Sequence, residues 1–212
     1  TSEGGRDYNH TEIGDYLLQN TYLPAFRSAI REGVATVMAG FNDVNGIPLS
    51  ANRRLVTEVL RHQLHFDGFV VSDWDAIRQM MAYSGFAADK KDAARLALHA
   101  GVDMDMADRC YLENMEALVS EEAISIEELD EAVRRILSVK LRMGLFDHPN
   151  NRPVAYDTQA HLALAQRLAE ESIVLLKNEK QLLPLDKQAA VGFAGPYLHN
   201  KTELVGSWAL DT

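Results

Sequence analysis

The 212-residue sequence predicts an α/β fold with parallel strands. Short apolar runs alternate with longer stretches of helical periodicity, which is the pattern of strand–helix–strand units. The helical stretches also carry their own start and stop residues. The apolar runs lie at 36–41 (Thr-Val-Met-Ala-Gly-Phe), 69–72 (Phe-Val-Val-Ser) and 102–106 (Val-Asp-Met-Asp-Met).

From the N-terminus, residues 11–32 place Ile13, Leu17, Leu18, Leu23, Phe26 and Ile30 at helical spacing. Pro24 is expected to start a second helix after a break at Thr21-Tyr22, since proline suits the first turn of a helix and not its interior. The 36–41 strand follows, then a loop, Asp43-Val44-Asn45-Gly46-Ile47-Pro48, and a helix over about 53–64. The 69–72 strand comes next. Asp89 is a candidate N-cap for a helix through Ala93, Ala94, Leu96 and Ala97, stopped by Gly101. Residues 102–106 alternate apolar and acidic side chains, as a short strand does. A further helix holds Leu112, Met115, Leu118 and Val119. Ser125-Ile126-Glu127-Glu128 is a capping box that opens a helix to Met143, with Gly144 as its stop.

Beyond Gly144 the pattern changes. His148-Pro149-Asn150-Asn151-Arg152-Pro153 reads as a linker. A helix to about residue 176, a turn at 178–182 and a strand at 189–194 ended by Gly195-Pro196 are expected after it. The predicted division is a first domain over 1–147, a linker over 148–157 and the beginning of a second domain over 158–212.

Bulk properties exclude several functions. With 47% hydrophobic and 25% charged residues the composition is that of a globular protein. A formal charge of -10 and a pI near 5.1 argue against nucleic acid and anionic membranes, which select clustered Lys and Arg. No apolar stretch is long enough to cross a bilayer. The single cysteine, Cys110, rules out an intrachain disulfide and a cysteine-based metal site. Thr1-Ser2-Glu3-Gly4-Gly5 reads as loop interior and Gly206-Ser207-Trp208-Ala209-Leu210 stops mid-pattern. The expectation is a piece of a longer protein.

The richest stretch for chemistry is Phe66-Asp67-Gly68-Phe69-Val70-Val71-Ser72-Asp73-Trp74-Asp75. A carboxylate stands where a buried strand ends, the position at which parallel sheets meet ligand. Trp74 beside it offers a flat apolar face to a ring-shaped ligand. Asp73 also suits an N-cap for the helix that starts near Ala76. On the local pattern the two roles stand level. Asp103, Asp105 and Asp108 form an acidic cluster at the next strand end, better read as helix caps and solvated carboxylates than as a metal site. The seven histidines are scattered without ligand spacing.

Several motifs, in order, resemble glycoside hydrolase family 3. They are Glu3-Gly4-Gly5-Arg6-Asp7-Tyr8-Asn9, the strand with Met38, the loop Asn45-Gly46-Ile47-Pro48, Gly68-Phe69-Val70-Val71-Ser72-Asp73-Trp74, Met143-Gly144-Leu145-Phe146 and Glu170-Glu171-Ser172-Ile173-Val174-Leu175-Leu176-Lys177-Asn178. The resemblance implies the later part of a (β/α)8-type barrel followed by the start of an α/β sandwich domain. It implies a retaining exo-β-glycosidase of β-glucosidase type, with Asp73 as nucleophile and Met38, Phe41 and Trp74 near the sugar. Its substrates would be β-linked oligosaccharides or aryl and alkyl β-glucosides, without metal or cofactor, in a periplasmic or secreted protein. A β-xylosidase is the nearest alternative.

Two departures accompany the resemblance. Many members carry Tyr at the position of Phe41, and Phe cannot donate that hydrogen bond. The family's sugar-holding Lys-His pair, its Arg and its acid/base Glu have no match in this sequence. The 212 residues alone are therefore expected to be inactive. Val70-Val71-Ser72-Asp73-Trp74-Asp75 also fits the Asp-x-Asp opening of magnesium-dependent phosphatases of the haloacid-dehalogenase type. Ala76-Ile77 then stand where that opening carries Gly or Thr.

Overall fold

The computed structural model describes residues 2–6, 8–148 and 157–200. They form two compact units, one up to residue 148 and one from residue 157.

In the first unit, strand β1 (Thr36–Ala39) pairs in parallel with β4 (Phe69–Ser72), Ala39 opposite Ser72. Val71 makes a parallel bridge to Met104. Between β1 and β4 in sequence, β2 (Asp43–Val44) and β3 (Ile47–Pro48) make an antiparallel hairpin. Asn45 and Gly46, both at positive φ, form its turn, the Asn-Gly signature of a two-residue hairpin. This hairpin stands where a loop is expected over 43–48.

Helices cover one side of the sheet: α3 (Ala76–Ala82), α4 (Lys90–Ala100), α5 (Cys110–Ser120) and α6 (Ile126–Arg142). Alternation along β4 buries Val70 and Ser72 and leaves Phe69 and Val71 half-buried. Val70 meets a core that includes Ile77, Met80, Val102, Cys110 and Leu118. Ala93, Ala94 and Ala97 of α4 are fully buried, and their small side chains let α3 and α5 approach closely. Asp89 caps α4 by accepting from the Asp92 amide, and Gly101 ends it at φ +100°. The capping box at Ser125 and Glu128 is formed in both directions.

Gly68 is fixed by packing. A Cβ there would lie 2.1 Å from the Ala35 carbonyl oxygen and 2.7 Å from the Phe66 ring. Neither the backbone nor the buried ring can give way cheaply. Gly68→Ala should therefore destabilise by about 1–3 kcal/mol, the usual scale of overpacking. A urea midpoint unchanged from that of the unmodified protein would contradict this.

Behind the sheet, Asp103 accepts from Arg61, from Arg135 at 2.9 Å and from the Val70 amide at 2.7 Å. Arg61 also donates to the carbonyls of Gly68 (2.9 Å) and Gly101 (3.2 Å). Its side chain is 7% exposed. Burial pushes the Asp103 carboxyl up and the Arg61 guanidinium down, while each favours the charge of the other.

Four expectations need correction. The third strand is only a bridge, because the Asp103 carboxylate takes the Val70 amide while the Val70 carbonyl accepts both Asp103 and Met104 amides. The expected break at Thr21-Tyr22 is a segment of wider i→i+5 turns, Leu18–Tyr22, joining α1 (Asp15–Leu17) to α2 (Leu23–Arg31). The wide turn absorbs Pro24, which has no amide to donate. In the second unit, α7 (Thr158–Glu171) stops short of residue 176. Ser172 folds back on the Ala169 carbonyl, and the β-branched pair Ile173-Val174 follows. No strand forms at 189–194, since the described residues of that unit hold no strand to pair with it. Most of the linker assigned to 148–157 lies outside the described residues.

Candidate active site

The parallel register sets three chain segments side by side at the C-terminal end of the sheet: 40–42 after β1, 73–75 after β4, and 105–106 after the Met104 bridge. The Asp73 amide donates to the Ala39 carbonyl at 2.8 Å. On the other side the Asp75 amide donates to the Met106 carbonyl at 3.1 Å. The fully buried Ser72 hydroxyl accepts from the Met106 amide at 2.9 Å and donates to the Asp73 carbonyl at 3.0 Å. The backbone that carries Asp73 is thus held from both neighbouring segments.

The Asp73 side chain is half-buried, and Oδ1 accepts from the Trp74 amide at 2.7 Å. Among the described residues it has no ion-pair partner. It is not the N-cap of α3. Asp75 occupies that place, at φ 58°, and both its carboxylate oxygens accept from Arg78. The amides of the first turn look elsewhere: Ala76 donates to the Asp73 backbone carbonyl, and Arg78 to Asp108 Oδ2 at 3.0 Å. The capping task is met from another segment, so the Asp73 carboxylate remains open.

Met38, in register with Val71, is 53% exposed, and Trp74 is 56% exposed. Met38, Val71 and Met104 form one row across the sheet. Asp73, two residues past Val71, continues that face. Phe41 is half-buried and stacks on Tyr8, with ring centres 4.3 Å apart and planes at 19°. Tyr8 also stacks with Tyr83 at 5.8 Å and 16°.

Tyr8 is brought there by a network that sequence reading missed. The Asn45 amide donates to the Thr11 carbonyl, and the Asn45 side chain both accepts from and donates to the Ile13 backbone. Asn42 donates to the Ser2 hydroxyl at 2.6 Å and the Asn9 carbonyl at 3.4 Å. His10, given no role from sequence, pairs with Asp43, which raises its pKa. The Asn45-Gly46 pair was the available signal, since a tight hairpin there presents its side chain to whatever lies beside it.

The acidic cluster does not act together. Asp103 is engaged by two arginines. Asp105 and Asp108 influence each other instead: Asp105 accepts from the Tyr111 amide, and Asp108 from the amides of Cys110 and Arg78. Burial, followed by the hydrogen bond to Asp108, raises the Asp105 pKa to about 6. Burial works against the Asp108 charge, but the Asp105 hydrogen bond and the amides of Cys110 and Arg78 hold its pKa below the ordinary value. Asp103 and Asp108 are buried, contrary to the expectation of solvated carboxylates. Among the described residues no three His, Cys, Asp or Glu side chains are arranged to hold a metal ion.

Asp105 titrates at a higher pH folded than unfolded. Its contribution to stability is therefore complete below about pH 4 and lost as pH rises through about 6. The Asp108 contribution has the opposite sign and is lost as pH falls through its lowered value. Asp105→Asn keeps a neutral donor toward Asp108. At pH 7 it should stabilise by about 1 kcal/mol, allowing for partial exposure, and flatten the stability profile between pH 4 and 7. Parallel urea-midpoint profiles for variant and unmodified protein would contradict this.

Residues 1–139 match the sequence profile of the glycosyl hydrolase family 3 N-terminal domain. The chain belongs to glycoside hydrolase family 3. Among its family 3 relatives, the periplasmic β-glucosidase of Salmonella typhimurium is 37% identical over 98% of this chain and 28% of that protein. A β-xylosidase of Formosa agariphila is 35% identical over 94% of this chain and 30% of that protein. The crystal structure of a Listeria innocua β-glucosidase in complex with glucose superposes with a TM-score of 0.77 at 38% identity, covering 87% of this chain and 26% of that one. The first unit is thus part of a family 3 barrel domain, and the chain spans between a quarter and a third of these relatives' length. Family membership removes the phosphatase alternative, and Asp75, the second Asp of its Asp-x-Asp pattern, is paired with Arg78.

Proposed function

We propose that Asp73 is the nucleophile of a retaining exo-β-glycosidase of β-glucosidase type. The observation that carries this is the open carboxylate of Asp73 on a strand end pinned from both sides, next to an exposed indole. Such a carboxylate can attack an anomeric carbon from a fixed position and form a glycosyl-enzyme. A second carboxyl group, roughly 5–5.5 Å away in enzymes of this type, protonates the leaving oxygen and later activates water. Trp74 and Met38 supply apolar faces for the sugar ring, and Phe41 borders the same site.

The substrates proposed are β-linked glucosides, supported by the β-glucosidase relatives. The β-xylosidase relative supports xylosides as a second reading. A periplasmic relative supports a periplasmic or secreted location, and no described helix is long and apolar enough to span a membrane. We also propose the domain limits 1–147 and 158–212, with 148–157 as linker. The test is turnover by the full-length polypeptide of p-nitrophenyl β-glucoside against the β-xyloside, with the product anomer read by NMR. Retention with preference for the glucoside is expected; inversion would overturn the mechanism.

Residues 1–212 alone contain no match to the family's sugar-holding Lys-His pair or acid/base Glu. General acid–base assistance is commonly worth ~10²–10⁴-fold. The isolated chain should therefore release p-nitrophenol no faster than background. Turnover abolished by Asp73→Asn would instead reveal a complete site within these residues.

A further inference from the structure

Two adjoining turns at the end of the sheet hold left-handed residues other than glycine. Asp75, at φ 58°, stands in the turn from β4 to α3. Ala107 at φ 72° and Arg109 at φ 60° stand in the turn that leads from Met104 to α5. Such backbone persists only where surrounding contacts impose it. The turns meet through the Asp75 amide, which donates to the Met106 carbonyl, and through the side chain of Asp108. Asp108 is 6% exposed. Its Oδ2 accepts from the Arg78 amide and its Oδ1 from the Cys110 amide, each at 3.0 Å. Both amides belong to the first turn of a helix, α3 for Arg78 and α5 for Cys110, and such amides find no acceptor within their own helix.

Asp75 holds the N-cap position of α3 without capping it. A capping carboxylate accepts from the amide of the second or third helical residue, and its own backbone is ordinarily extended. The third helical residue of α3 is Arg78. Asp75 is instead left-handed and gives both carboxylate oxygens to the Arg78 guanidinium. Asp108 supplies the missing acceptor from the other turn. Without it, the Arg78 amide would be open to the Asp75 carboxylate. To take that amide as a cap, Asp75 would leave φ 58° for the extended region. Asp73 and Trp74 directly precede it, so this rotation would turn the Asp73 carboxylate from its place.

We propose that Asp108 is a positioning residue for the Asp73 nucleophile: by capping α3 from the neighbouring turn, it keeps Asp75 left-handed and the Asp73 carboxylate in line with the substrate. This deepens the glycosidase proposal and rests on it. Asp108 acts through Arg78 and Asp75, not on the sugar.

The test follows inactivation of the full-length polypeptide by a 2-deoxy-2-fluoro β-glucoside. The saturating rate constant reads the attack by Asp73, and the half-saturating concentration reads binding. Asp108→Ala should lower the rate constant by roughly 10- to 100-fold, the scale of a displaced reacting group. The half-saturating concentration should change far less. Asp108→Asn keeps an acceptor for one of the two amides and should lose less; it carries the comparison should Asp108→Ala fail to fold. Asp75→Gly tests the route, since glycine takes φ 58° without strain and has no carboxylate to turn. In that background the Asp108 substitution should cost several-fold less than in the unmodified protein. Asp89→Ala, which removes the side-chain cap of α4, should lower the urea midpoint and leave the rate constant unchanged. An unchanged rate constant on substituting Asp108 would overturn the proposal. An equal loss with and without Asp75→Gly, or a comparable loss in Asp89→Ala, would assign Asp108 a purely structural role and overturn it too. Failure of the unmodified protein to be labelled on Asp73 would overturn the glycosidase proposal itself, and this role with it.

Discussion

Asp73→Asn should abolish glycoside hydrolysis by the full-length polypeptide while leaving its fold intact. Asn is nearly isosteric with Asp. Its Oδ1 can still accept from the Trp74 amide, and the backbone bonds to Ala39 and Met106 on either side do not involve the side chain. The amide cannot displace a leaving group from the anomeric carbon, so the two-step route closes. The expected loss in kcat is on the order of 10⁴-fold or more, the scale seen when an enzyme loses its nucleophile. A variant retaining more than about a tenth of the rate, against that scale, would show that Asp73 is not the attacking group. Unchanged circular dichroism and urea midpoint would show that the loss is chemical.

The second large effect concerns stability. Asp103→Leu should cost about 3–5 kcal/mol, because removing one partner of a buried ion pair strands the other. The Arg61 side chain is almost wholly enclosed, and its Nε has no hydrogen-bond partner among the described residues. Without Asp103 the guanidinium keeps only the Gly68 and Gly101 carbonyls, and the Val70 amide in mid-strand loses its acceptor. Arg135 retains Glu131, 3.1 Å away, and suffers less. The double variant Asp103→Leu/Arg61→Met should recover a large part of the loss, since an apolar replacement of both partners leaves no stranded charge. A urea midpoint for Asp103→Leu close to that of the unmodified protein would contradict this.

What could be read from the sequence is what is local. β4 at Phe69–Ser72 was legible because three apolar β-formers and a serine end on a carboxylate. The caps of α4 and α6 were legible because Asp89, Gly101, Ser125 and Glu128 act on neighbours within a turn. The 102–106 stretch alternates like a strand and yet pairs only at Met104. Its Asp103 is drawn to Arg61, 42 residues away, and Arg135, 32 residues away, and no local pattern reports those partners.

The site divides in the same way. Asp73, Trp74 and Met38 follow from strand ends and family motifs. The capping alternative for Asp73 could be dismissed only once Asp108, 30 residues from Arg78, was seen to receive its amide. Tyr8 and Tyr83 bore no mark in the sequence, since the two stacked rings lie 75 residues apart along the chain (83 − 8). Phe41 stood out as a missing hydroxyl, whereas the structure gives the ring a partner in Tyr8.

The most direct measurement is the site of covalent labelling. A 2-deoxy-2-fluoro β-glucoside with a good leaving group forms the glycosyl-enzyme readily but releases it slowly. The full-length polypeptide is treated with it, digested and mapped by mass spectrometry. One fluoroglucosyl group on Asp73, absent from the Asp73→Asn variant, is the predicted result. Stoichiometric labelling of any other carboxylate would contradict the assignment.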